Sequence, residues 1–219
     1  MVDEATGAYA SIKVEGTLSA AFDFPYHQAM GRLIVEQIVS ADGYAAEPDG
    51  GIGFFQNARG INDVDEQQIR LLASVRTIVL GRRTYGMFAS YWPDADPAQE
   101  PVAAPINATP KYVVSNTLDA APWGSNGDAA EVLRGDGAES VRNLRRRIDG
   151  DMIVWGSLTL ADALLRAGEV DVLRLRVVPK LIGSGRSFAP SDLGHRTLIL
   201  EDAASYAGGV VVLQYGFTR

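Results

Sequence analysis

Residues 77–85 read TIVLGRRTY, and residues 152–160 read MIVWGSLTL. In each, a four-residue apolar run breaks at a glycine and gives way to residues that suit a helix. A short run with no polar side is a strand buried on both faces, which is the mark of a parallel sheet. Working outward, residues 32–40 (RLIVEQIVS) form a β-rich stretch that ends at Asp42-Gly43. Asn62 or Asp63 can cap a helix running to about Ser74, with Ile69, Leu72 and Ala73 at helical spacing. A second helix starts near Thr84 and stops before Pro93. Residues 93–110 are proline-rich and read as a surface excursion. Residues 111–115 (KYVVS) form a strand, 139–148 a helix, 158–167 a helix stopped by Gly168, and 172–178 a strand. Residues 196–201 and 210–217 close the chain as an antiparallel pair. Strands alternating with helices over 30–178 predict an α/β sheet with an antiparallel end.

The chain has 219 residues and a formal net charge of −7. That length supports a full core without a metal or disulfide. There is no cysteine, which excludes a thiol nucleophile, a disulfide framework and cysteine-ligated zinc. The acidic balance offers no global field for nucleic acid. No apolar run approaches the roughly 18 residues of a membrane span. The start, Met-Val-Asp-Glu, lacks the basic and apolar blocks of a signal peptide, so a cytoplasmic protein is expected. Two units are read: an extension or arm over 1–29 and a single domain over 30–219. The arm carries Ile12, Val14 and Leu18, then the aromatic stretch Phe22, Phe24 and Tyr26. It is either a tail or a segment packed on its own domain or on a partner subunit.

Gly81-Arg82-Arg83-Thr84-Tyr85 sits where an apolar strand meets a helix, and Gly156-Ser157 repeats that arrangement. Helix N-termini present unpaired backbone N–H groups, and arginines add positive charge, so either place suits a phosphate. Two such junctions in one sheet suggest a nucleotide across the strand ends; two ordinary tight turns are the plainer alternative. Gly183-Ser184-Gly185 lacks the third glycine of a dinucleotide fingerprint and reads as a tight turn. Arg145-Arg146-Arg147 reads as a solvated helix face. His27 and His195 have no spacing that would pair them on a metal.

With these pieces in order, the chain resembles the dihydrofolate reductase-like superfamily. Within it, the chain is most similar to the C-terminal reductase domain of the riboflavin-biosynthesis deaminase–reductase. The marks are Ser40-Ala41-Asp42-Gly43-Tyr44, Val79-Leu80-Gly81-Arg82-Arg83-Thr84-Tyr85, Tyr112-Val113-Val114-Ser115, Trp155-Gly156-Ser157 and Leu173-Arg174-Leu175. The resemblance implies a three-layer α/β fold with a mixed, mostly parallel sheet and a C-terminal antiparallel hairpin. It implies NADPH across the strand ends, with Gly81, Arg82, Arg83 and Thr84 at its phosphates. Ser115 and Asn116 would lie near the adenosine 2′-phosphate, Gly156 and Ser157 against the pyrophosphate, and Ile38 near the nicotinamide amide. Gln37, Phe54, Phe55, Phe88 and Arg176 would face the substrate. Arg176 stands where the dihydrofolate enzymes have threonine. Residues 53–56 (GFFQ) replace a Lys-Trp-Ile type of segment in the riboflavin-pathway reductases.

Counting back from Gly81 as in those enzymes places the catalytic carboxylate at Asp65. There it would hydrogen-bond a pterin-like ring and help protonate a ring nitrogen. Asp63, Asp65 and Glu66 as simple helix-start acids are the other reading. The expected activity is hydride transfer from NADPH to a small pterin-like or pyrimidine substrate, in a homodimer without nucleic-acid or membrane partners. A nucleotide-binding protein of the same fold without turnover is the alternative.

Overall fold

The computed structural model describes residues 31–218 apart from 57, 59 and 126. The arm read at 1–29, with its aromatic stretch and His27, lies outside the described residues. The chain opens with β1 (Leu33–Ser40) and β2 (Tyr44–Ala46), then the short helix α1 (Gly53–Gln56). A 3₁₀ turn over Ile61–Val64 leads into α2 (Asp65–Ser74), β3 (Val75–Gly81) and α3 (Arg82–Ala89). Next come α4 (Ala103–Ala108), β4 (Lys111–Val114), β5 (Glu131–Leu133) and α5 (Gly137–Arg145). The chain then forms β6 (Asp151–Trp155), α6 (Leu158–Arg166), β7 (Val172–Val178) and β8 (Arg186–Ser187). It closes with β9 (Leu198–Ser205) and β10 (Val211–Phe217).

Eight strands form one sheet in the order β5-β4-β3-β6-β1-β7-β10-β9. The first six in that row run parallel, so their carboxyl ends share one edge of the sheet. β10 pairs antiparallel with β7, and β9 with β10. β2 and β8 form a separate two-stranded sheet. The central strand β1 is buried on both faces, which is why its first residues are an unbroken apolar run.

Helices cover both faces. On one, Val141 and Leu144 of α5 and Ala161 and Leu164 of α6 pack on Val35, Val79 and Val154. On the other, Leu72, Tyr85 and Ile106 from α2, α3 and α4 pack on Ile34, Leu80 and Ile153. Leu144 and Leu164 are fully buried, so truncating either to alanine costs about 2–5 kcal/mol. α5 starts two residues before the expected position because Asp136 accepts a hydrogen bond from Glu139 N at 2.9 Å and caps it.

Two readings are corrected. The proline-rich stretch is not all surface: α4 lies within it and buries Val102, Ala103 and Ile106. Pro105 falls in the first turn, where its missing N–H costs no helical bond. Arg145 is not solvated: it is buried, pairs with Asp171, and donates to Gly31 O at 3.0 Å. Arg146 and Arg147 are exposed.

The topology places a crevice. α3 leaves β3 toward one face of the sheet, whereas α6 leaves the neighbouring β6 toward the other. Divergence of adjacent connections opens a cleft outside the carboxyl ends of the strands.

Candidate active site

β3 and β6 are paired parallel, and a set of internal bonds joins their ends. Ser157 Oγ accepts from Gly81 N at 2.7 Å and donates to Trp155 O at 2.7 Å. Ser157 N donates to Thr84 Oγ1 at 2.9 Å. Gln37 Nε2 donates to Gly156 O at 2.5 Å. Ser157 is the non-glycine residue of positive φ (50°) among those described, a conformation that costs about 1–2 kcal/mol. Gly156 beside it has φ 51°, and a Cβ there would lie 3.3 Å from Thr84 Oγ1. The chain thus holds a strained turn at the strand ends, and such strain concentrates at ligand sites. Thr84 and Ser157 spend their polar groups on this junction.

What faces outward is different. The first-turn N–H groups of α3 and α6 have no intrahelical acceptor, and the two helices start on neighbouring strands, roughly 5 Å apart across the ladder. Arg82 and Arg83 are exposed, and among the described residues neither forms an ion pair. Arg83 donates to Gly50 O at 2.9 Å and so ties the loop after β2 to α3. Farther along the same edge, Ser115 Oγ accepts from the N–H groups of Thr117 and Leu118 and closes its own turn. Asn116 Oδ1 accepts from Gly135 N at 2.7 Å and fixes the turn after β5. Arg134, not singled out from the sequence, donates to Leu118 O at 2.6 Å and adds a third guanidinium to this edge.

The other half of the cleft has a charged floor. Side chains two apart on a strand share a face, and register puts Glu36 beside both Trp155 and Arg174, and Ile38 beside Arg176. Glu36 accepts from Trp155 Nε1 at 3.0 Å and pairs with Arg174. Arg176 Nε lies 3.4 Å from the same carboxylate. From above, Gln68 Oε1 accepts from Arg174 and from Arg176, each at 2.8 Å. Gln67 Oε1 accepts from Arg174 at 2.9 Å and from the Tyr206 hydroxyl at 2.6 Å. Glu36, Gln68 and Arg174 are all at most 4% exposed.

Asp65 lies in the first turn of α2 and is partly buried. Among the described residues it makes no hydrogen bond and no ion pair within 4 Å. Burial holds its pKa above the ordinary carboxylate value, with Arg176 pulling it down and Glu100 pushing it up. A partly buried carboxylate without a partner is a candidate functional group.

The aromatic candidates divide. Phe88 of α3 packs against Trp155 in a tilted arrangement with centroids 5.7 Å apart and lies edge-on 6.0 Å from Trp92. Phe54 is buried among Val64, Val178, Val210 and Val212, with Ile38 and Phe55 packed against that cluster. Opposite them, Asp42 accepts from Ile182 N at 3.2 Å and Gly183 N at 2.7 Å, tying the turn after β1 to the segment after β7. An open groove on the far flank of α3, lined by Tyr85, Ala89, Ser90 and Pro122, gathers none of this chemistry. Among the described residues no cluster of His, Asp and Glu could hold a metal, and no helix is long and apolar enough to cross a membrane.

Glu36, Arg174, Gln67, Gln68, Tyr206 and Trp155 were not singled out from the sequence as polar partners. One signal was available. Arg174 and Arg176 stand two apart in an apolar strand, so both must face one side and find buried partners there.

Comparison with known proteins agrees with this architecture. Residues 32–213 match the family model of the RibD C-terminal domain, and the chain belongs to that family. Its curated relative YyaP of Bacillus subtilis is 23% identical over 186 residues, covering 84% of this chain and 94% of YyaP. A solved protein of Shewanella sp. PV-4, provisionally named for riboflavin biosynthesis, is 22% identical. That match has a TM-score of 0.69 and covers 86% of this chain and 99% of the other. Dihydrofolate reductase from Enterococcus faecalis, solved with NADP(H), is 13% identical, with a TM-score of 0.57 and 87% and 99% coverage. At these identities the two structures share the fold, a mixed and mostly parallel eight-stranded sheet between helices with an antiparallel end.

Proposed function

We propose that this member of the RibD C-terminal domain family is an NADPH-dependent reductase of a small heterocycle, pterin-like or pyrimidine. The observation that carries the reading is the unpartnered, partly buried carboxylate of Asp65, which feels the charge of Arg176 on β7, together with the junction of two helix N-termini at the ends of β3 and β6. The donor set of that junction fits a dinucleotide. Arg82 and Arg83 supply charge to phosphates, and Gly81 and Gly156 allow close backbone approach. Ser115 and Asn116 at the β4 end would lie near the adenosine 2′-phosphate, while Thr84 and Ser157 hold the turn in shape. Gln37 holds Gly156 by donating to the Gly156 carbonyl, and the backbone at Ile38 would meet the nicotinamide amide. The Enterococcus faecalis enzyme of the same fold was solved with NADP(H), which supports the choice of cofactor.

When bound, NADPH supplies a hydride from C4. The ring C=N bond gains that hydride at carbon and a proton at nitrogen, becoming CH–NH. Asp65 would deliver the proton, a role that the upward direction of its pKa shift supports. Phe88 and Phe55 flank the ring, Phe54 supports that wall from within, and Arg176 lies under it. We place the enzyme in the cytoplasm as a homodimer.

The test is absorbance of reduced nicotinamide in mixtures of protein, NADPH and single pterins, pyrimidines or flavins. Oxidation that depends on one of these rings supports the reading. Tight NADPH binding with no oxidation by any ring supports a binding protein instead.

A further inference from the structure

Among the described residues no polar partner fixes the Asp65 carboxylate, so its place depends on the backbone that carries it. That backbone is gripped by the β9–β10 hairpin. Before Asp65, Gly208 N in the hairpin turn donates to Asp63 Oδ2 at 2.8 Å. Gly60 has φ 75°, and a Cβ there would collide with Gly208 Cα, so two backbones meet with no room for a side chain. Val64 is fully buried in one apolar cluster with Val210 and Val212. After Asp65, Gln67 Nε2 donates to Asp202 of β9 at 3.2 Å, and Gln67 Oε1 accepts from the Tyr206 hydroxyl at 2.6 Å. The hairpin thus holds the chain two residues before Asp65 and two residues after it.

The turn that does this is itself tied down. Tyr206 N donates to Val210 O at 2.9 Å, and Gly209 N to Tyr206 O at 2.8 Å. A Cβ at Gly209 would lie 3.2 Å from Pro179, so the turn also rests on the end of the strand that carries Arg176. Resting on the reductase reading, we propose that the β9–β10 turn positions Asp65 for proton delivery, acting through Asp63 and Tyr206. A reacting group must be held to within a fraction of an ångström by its supports, and a misplacement of about 1 Å costs about 10²-fold in rate. Asp63 and Tyr206 are positioning residues in this account and touch no substrate.

The test follows the Asp65 carboxyl by carbon NMR through a pH titration of the full chain, with Asp65→Asn assigning the signal. Burial holds Asp65 above the ordinary carboxylate value. Releasing its backbone admits water, so the midpoint should fall toward that value in Asp63→Ala/Tyr206→Phe. Asp63 is exposed and phenylalanine keeps the ring in its cluster, so the fold survives both changes. Asp63→Asn removes the same charge but keeps an acceptor for Gly208 N, and its midpoint should stay near the wild type. With the ring that oxidises NADPH in the assay above, the double variant should lose about 10–10²-fold in kcat. Its KM for NADPH should not change, because the cofactor junction lies on β3 and β6. A midpoint in the double variant no lower than in Asp63→Asn overturns the inference, as does an unchanged kcat. If no pterin, pyrimidine or flavin oxidises NADPH, the reductase reading falls, and the titration alone decides whether the turn holds Asp65.

Discussion

Glu36 and Trp155 meet across two neighbouring parallel strands, the indole N–H donating to the carboxylate at 3.0 Å. The bond fixes the ring that Phe88 packs against, and the same carboxylate pairs with Arg174. One buried acid therefore orders both the aromatic wall and the charged floor of the cleft.

Glu36→Gln keeps the shape but leaves the buried Arg174 and the partly buried Arg176 without their main counter-charge. Breaking a buried pair by removing one partner costs about 3–5 kcal/mol. Urea denaturation should register a loss of that size. A loss under about 1 kcal/mol, the level of a surface pair, would mean that solvent already screens the floor.

Asp65→Asn separates rate from stability. Loss of a proton donor slows reduction by about 10²–10⁴-fold, with NADPH affinity unchanged because the cofactor contacts lie elsewhere. The Asp65 pKa is raised by burial, so the folded state penalises its charged form. That contribution is fully present below the ordinary carboxylate value and is lost as pH rises through the folded pKa. Near neutral pH the variant should melt no lower than the wild type. Normal turnover with a lower melting temperature would instead identify Asp65 as a helix-start charge.

Lys111 gives a second pH signature. Its ammonium is buried, donates to Asn107 O and Thr109 O at 2.7 Å each, and lies 4.4 Å from the Trp123 ring centre. Burial pushes its pKa down to about 8, against 10.5 in the open chain. Between those values the unfolded state binds more protons, so stability should rise with pH, by at most about 1.4 kcal/mol per unit. Denaturation of wild type and Lys111→Met at pH 8 and 10 checks this. The rise should be absent from the variant.

The proposed dimer has a structural candidate for its contact. β9 is the open edge of the main sheet and exposes Ile199 and Leu200, each more than half accessible. Unpaired strand edges with apolar side chains tend to be covered. Light scattering at micromolar concentration should return a dimer mass, and Ile199→Lys should shift it toward the monomer. A monomer mass for the wild type contradicts the assignment.

The strand–glycine–helix junctions were legible because each is a local pattern. β7 occupies the same residues, 172–178, that its apolar run marks, and β6 and α6 differ from expectation by one residue at one end. α4 was hidden by the prolines around it, and the one it contains, Pro105, sits in the first turn where a helix tolerates it. The short strands β2, β5 and β8 hold two or three residues each, too few for a period to register. The charged floor was hidden for another reason. Glu36 and Arg174 are 138 residues apart and become neighbours only through sheet register, and Gln67, Gln68 and Tyr206 carry no sequence signal at all.

The most direct measurement of the central claim is a fluorescence titration of the protein with NADPH and with NADH. The account predicts that NADPH binds at least about tenfold more tightly, because a 2′-phosphate adds charge-assisted bonds to arginine at the strand ends. Replacing Arg82 and Arg83 with alanine should then cost about 2–4 kcal/mol toward NADPH. Equal affinity for the two cofactors, or no binding of either, would contradict it.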